Sequence, residues 1–194
     1  MIAGANQRGA CLAGIACIFV GSLLIGCSAG AGAGTTDGGS GTFVAFASDF
    51  TGFHSWSSTP GVGPPGAPQP PSGTDGGVHA GPLMSYINQR PAKGSTSFPV
   101  GTIIVKEPTT PALTDRQIFA MVKRGGGYDS TGATDWEWFE LRDVDANDVT
   151  IVWRGVGPPG GEAYGATPTL CNDCHAMARG NDFVWTAGLD LSSF

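Results

Sequence analysis

The residues with the most chemistry per unit length are 171–175, CNDCH. Cys171 and Cys174 sit three apart, so within a helical turn both thiols project from one face, and His175 follows at once. Two sulfurs at this spacing can add to the two vinyl groups of one haem, while the adjoining imidazole takes an axial position on the iron. That is the attachment pattern of haem c. Other chemistries use the same two thiols. A thioredoxin-like redox pair wants a βαβ setting. A zinc site wants two further ligands, and His54 and His79 are the only other histidines. Coincidence is the remaining alternative. The reading is one covalent haem c, with Cys171 and Cys174 as thioether anchors and His175 as axial ligand.

Lys106 is a second reactive candidate, one of only three lysines with Lys93 and Lys123. In GTIIVKE (101–107), strand alternation places Lys106 on one face with Ile104 and Thr102, and Ile103, Val105 and Glu107 on the other. If the Ile104 face meets an apolar cofactor, the ammonium loses water, its pKa falls and a neutral amine becomes available. The plainer alternative is a strand-end lysine reaching water beside an acid. Glu140 is a candidate base, because it shares a face with Trp136 and Trp138. Glu137, Glu107 and Asp135 are others, and all four are equally readable as surface carboxylates. Trp138, Phe139 and Phe98 are candidate cofactor walls, and Met84, Met121, His54 or His79 would have to supply any sixth iron ligand.

These groups need a scaffold, and the composition favours a mainly β one. Among 194 residues are 32 glycines and 14 prolines, with 13% charged residues, which argues for many turns and against a helical bundle. Runs 81–89 and 98–108 read as short strands bounded by glycine and proline, 116–127 ends in a three-glycine turn, and 134–143 and 147–155 follow at hairpin-like spacing. The expected fold class is mainly β (α+β): an antiparallel sheet, sandwich or half-barrel, with a short C-terminal haem-attachment helix around the motif. Thr167 or Thr169 would cap that helix and Gly180 would stop it. Aromatics at three-to-four-residue spacing in 42–58 predict a short amphipathic helix packed on the core. Residues 59–77 are expected as a Pro/Gly-rich loop.

Residues 1–26 read as an export signal, with Arg8 followed by an uncharged apolar run. LIGC (24–27) looks like the lipobox of bacterial lipoproteins, which makes Cys27 the lipidated residue and 27–41 a flexible tether to a domain at 42–194. An ordinary cleaved signal or an uncleaved anchor are the alternatives. The expected location is the periplasmic side, lipid-anchored to the bacterial membrane, the outer one in preference. With Cys11 and Cys17 in the signal, no disulfide framework is left to propose. Sixteen acidic against ten basic residues argue against a nucleic-acid partner.

FPVGTIIVKE (98–107), DWEWFEL (135–141) and CNDCHAMARGNDFVW (171–185), in that order and preceded by SYIN (85–88), resemble the cytochrome P-460 family and its relative cytochrome c′-β. The resemblance covers roughly residues 42–190, and the proline-rich insertion and the glycines at 125–127 depart from it. It implies a mainly antiparallel β fold with haem against one sheet and an open distal side. His175 would be the proximal ligand, and Lys106 matches the lysine that joins the porphyrin covalently in cytochromes P-460. Members with that cross-link oxidise hydroxylamine; the c′-β relatives bind nitric oxide. The expected function is redox chemistry on hydroxylamine or a small nitrogen oxide, with a redox partner protein. The alternative is a non-enzymatic gas-binding or electron-transfer cytochrome.

Overall fold

The computed structural model describes residues 41–63, 82–109, 117–161 and 170–194. The export segment, Cys27, nearly all of the tether, residues 64–77 of the proline-rich run, His79, Thr167 and Thr169 lie outside the described residues.

Six strands form one sheet: β1 (Ser57–Pro60), β2 (Leu83–Ile87), β3 (Ile103–Pro108), β4 (Ile118–Lys123), β5 (Trp136–Asp143) and β6 (Val149–Gly155). Their spatial order follows chain order and every neighbouring pair is antiparallel, so the sheet is a plain meander. The five expected strands are present, joined by β1, which straddles the end of the expected helix (42–58) and the start of the expected loop (59–77). Pro60 is compatible with a strand because β1 lies at the sheet edge, where a missing N–H leaves no ladder bond unmade.

Turn chemistry sets the strand ends. Asn88 brackets the approach to β3: its Oδ1 accepts from Ile103 N (2.8 Å) and its Nδ2 donates to Gly101 O (3.0 Å). Just before it, Thr102 N donates to Pro99 O (3.0 Å) in a turn, so β3 begins at Ile103 rather than at Phe98. Asp145 Oδ1 accepts from Asn147 N and Asp148 N (2.8 and 3.0 Å), an Asx-type turn between β5 and β6. Gly125, Gly126 and Gly127 have φ of 73°, 68° and 75°. Three successive left-handed residues are sustained only by glycine, so this turn requires the run it has.

Both faces of the sheet are covered. On one, Ile87, Ile104, Met121, Trp136, Trp138 and Trp153 pack with Phe98, Phe183, Val184, Leu189 and Leu191. On the other, Ile103, Val105, Val122, Phe139 and Leu141 pack with Ala45, Phe50 and Phe53. The first residues of β5, Trp136 to Leu141, are therefore all buried rather than alternating. Burying Phe50 and Phe53 contributes about 1.5–3 kcal/mol each. They do so from two 3-10 turns, Ala47–Phe50 and Phe53–Ser55, not from the expected amphipathic helix. Gly52, at φ 67°, breaks the helix between them, and Phe46 is left 65% exposed.

The C-terminal helix α1 (Leu170–His175) is only six residues long and continues as 3-10 turns through Asn181. Gly180 does not end it. Asp182 does, in a left-handed conformation (φ 50°), and Phe183 follows at φ 66°. Among the described residues no helix is long and apolar enough to cross a membrane.

Candidate functional site

Antiparallel register brings chemistry-bearing residues into line. Lys106 lies opposite Ser85 and Phe119, Phe119 opposite Glu140, and Glu140 opposite Trp153. Directly opposed residues share a face, so these five form one cross-strand row. Ile87, Ile104, Met121 and Trp138 form the next row. Helix α1 faces both rows across a cavity that opens to solvent. Ile104, Lys106, Phe119, Met121 and Trp138 line it from the sheet; Cys171, Cys174 and His175 line it from the helix. All four residues singled out in the sequence as anchors, ligand or amine thus meet in one space.

His175 is held in a defined state. Its Nδ1 donates to Phe183 O at 2.6 Å, an assignment that leaves Nε2 as the ring nitrogen with a free lone pair. Burial, and then the charge of Lys106, push its pKa down to about 4, against the opposing pull of the Phe183 carbonyl. A neutral imidazole at neutral pH is the form that binds a metal.

The Phe183 carbonyl is placed by a strained turn that several bonds hold. The Asp182 carboxylate accepts from Lys123 Nζ (2.7 Å) and Phe98 N (2.9 Å), and its backbone oxygen accepts from Trp136 Nε1 (2.8 Å). Two consecutive non-glycine residues at positive φ persist only where surroundings over-determine them.

Lys106 is not the solvated strand-end lysine of the plainer reading. Its Nζ donates to Trp185 O at 3.2 Å, and burial lowers its pKa to about 8. Cys171 goes the other way: burial, then the neighbouring Cys174, push its thiol up to about 12. A thiol so firmly protonated is unlike the low-pKa cysteine of a thioredoxin-type pair. His54 offers nothing to a zinc set here, since it lies on the opposite face against Glu107 (3.2 Å). Among the described residues no three His, Cys, Asp or Glu side chains converge as a bare-ion site.

The four candidate carboxylates separate. Glu140 is on the cavity face, buried, and accepts from Trp153 Nε1 at 2.7 Å. Glu137 is buried on the opposite face between Arg124 and Arg154 (3.0 and 2.7 Å). Glu107, also opposite and buried, accepts from Tyr86 OH at 3.0 Å. Asp135 serves a turn, accepting from Gly127 N at 2.8 Å. The surface reading therefore fails for Glu107, Glu137 and Glu140.

The candidate walls and sixth ligands separate too. Trp138 and Phe98 belong to the cavity-side core, whereas the Phe139 ring packs on Phe50 (5.3 Å between centroids) on the other side. Met121 lines the cavity; Met84 pairs with Glu107 in register and so shares the opposite face with it and His54. Sequence reasoning missed Asn172, Asp182, Trp185 and the role of Lys123. For Lys123 a signal existed, because a lysine inside a strand needs a buried partner.

No family model, no curated protein and no solved structure matches this chain.

Proposed function

We propose that this chain is an exported, lipid-anchored c-type haem protein that carries out redox chemistry on hydroxylamine or a small nitrogen oxide at an open iron site. The observation that carries the reading is the convergence of Cys171, Cys174, His175 and Lys106 on one cavity. The donor set fits haem c: two thiols on one helical turn, an imidazole with its Nε2 unclaimed, and a cavity lined largely by apolar side chains.

Cys171 and Cys174 would anchor the porphyrin and His175 would hold the iron. Bound haem supplies an iron that takes a small ligand and passes electrons, here to a redox partner protein. The chain's own residues do the rest. Phe183 O fixes the imidazole, Trp138 and Phe119 exclude water, and Glu140 on the cavity face is the candidate proton acceptor. Lys106 is the candidate for covalent attachment to the porphyrin, because its amine lies in the same cavity and titrates near pH 8. The anchor reading rests on Cys27 and the tether that follows it.

Met121 favours a second reading. A thioether in the cavity wall is a candidate sixth ligand, which would make the protein an electron carrier; an open site without turnover would make it a gas-binding protein. Absorption spectra of the holoprotein separate these. A high-spin spectrum and a red-shifted ferrous band that survives denaturation and vanishes in Lys106→Ala support the proposal. A low-spin spectrum that Met121→Ala converts to high-spin supports the carrier.

A further inference from the structure

Within CNDCH, the residue after the first cysteine is formally a spacer, yet here its side chain makes contacts with three separate segments. Asn172 Oδ1 accepts from Ala133 N in the turn before β5 (3.0 Å) and from Trp138 Nε1 on β5 (3.0 Å). Its Nδ2 donates to Val156 O, just beyond β6 (3.0 Å). The fit is close: a Cβ on Gly132 would run into the Asn172 amide and the Asp129 carboxylate. The indole that Asn172 holds is also the one packed on the imidazole, with Trp138 and His175 ring centroids 4.5 Å apart.

We infer that Asn172 is a positioning residue that latches α1 to β5 and, through Trp138, sets the plane of the His175 ring. His175 is then contacted twice, at Nδ1 by Phe183 O and on the ring by an indole, tilted 58° to it, whose own N–H is tied down. A ring held at one nitrogen can still tilt about that bond; the indole narrows this freedom. An axial ligand needs such a second restraint, because ring orientation tunes the metal it binds. This inference rests on the haem reading for its purpose, but not for its geometry.

The test uses the full chain without haem and then with it. In the haem-free chain, hydrogen exchange at the Trp138 indole N–H and the Ala133 amide should be slow. In Asn172→Ala both should exchange about tenfold faster, the size expected from one lost hydrogen bond, and the upfield ring-current shift of the His175 protons should shrink. Asn172→Asp keeps the acceptor and should retain indole protection and the His175 shift. Gly132→Ala, which displaces the latch without touching the motif, should behave as Asn172→Ala. In the haem-loaded chain the iron–histidine stretching frequency should move in Asn172→Ala and return in Asn172→Asp. Free exchange of the Trp138 indole in the unmutated chain would overturn the latch, even if no variant folds. So would unchanged His175 shifts in a folded Asn172→Ala. A chain that takes up no haem but shows the protected indole would sink the haem reading and leave the latch standing.

Discussion

Lys106→Met should stabilise the haem-free chain at neutral pH, by an amount the structure allows to be worked out. Burial lowers the amine from 10.5 to about 8. At 1.36 kcal/mol per tenfold change, that corresponds to a penalty of roughly 3 kcal/mol for carrying the charge in the folded state. Methionine is of similar length and apolar, but it gives up the bond from Nζ to Trp185 O, worth about 1 kcal/mol. The expected net gain at pH 7 is about 2 kcal/mol. Below pH 8 both folded and unfolded amines are protonated and the penalty is complete. Between pH 8 and 10.5 the unfolded chain holds the proton and the folded chain does not, so unmutated stability rises with pH. Above 10.5 the penalty is gone and the unmutated chain keeps its hydrogen bond. Urea unfolding of both chains from pH 7 to 10.5 reads the difference directly, provided the slopes match. The advantage of Lys106→Met should shrink through this window and then reverse. A difference that is flat with pH, or a variant less stable at pH 7, would refute the claim that the amine is held away from water.

Two other outcomes follow from the same structure, and a third from the sequence. Glu137→Ala leaves Arg124 and Arg154 without their buried partner; loss of about 3 kcal/mol is expected in chemical denaturation, the lower end for a broken buried pair because both arginine side chains are 29% exposed. Asp182→Asn leaves Lys123 buried beside a neutral amide and loosens the turn that aims Phe183 O. Stability should fall by about 3 kcal/mol, and nitrogen NMR should show His175 shifting from one tautomer to a mixture. On the proposed lipid anchor, Cys27→Ala should abolish metabolic labelling by fatty acid, which is checked in cells producing each form.

Five of the six strands were legible because β-branched or aromatic residues recur in each and turn residues separate them. Period-two alternation placed Ile104 and Lys106 on one face and Glu107 on the other, as the register has them. The strand at β5 was expected, but not its burial on both faces from Trp136 to Leu141, where the run serves two cores at once. β1 was hidden by Pro60, which reads as a breaker until its strand is known to be at an edge. The aromatic spacing at 42–58 imitated a helix, though Gly52 divides the segment and only some of its rings turn inward. At the candidate site, Cys171, Cys174 and His175 were readable from their spacing alone. Asn172 and Asp182 were not, because their roles come from partners that are 34 and 59 residues away in the chain, Trp138 and Lys123. Such pairings exist only once the sheet has set its register.

The most direct test of the central claim is the intact mass of the denatured chain purified from a host with haem-attachment machinery. The expected result is a polypeptide heavier by one haem, with the addition lost in Cys171→Ala/Cys174→Ala and retained in Asn172→Asp. A denatured mass equal to the polypeptide alone would contradict it, and with it the assignment of Cys171, Cys174 and His175 as a haem site.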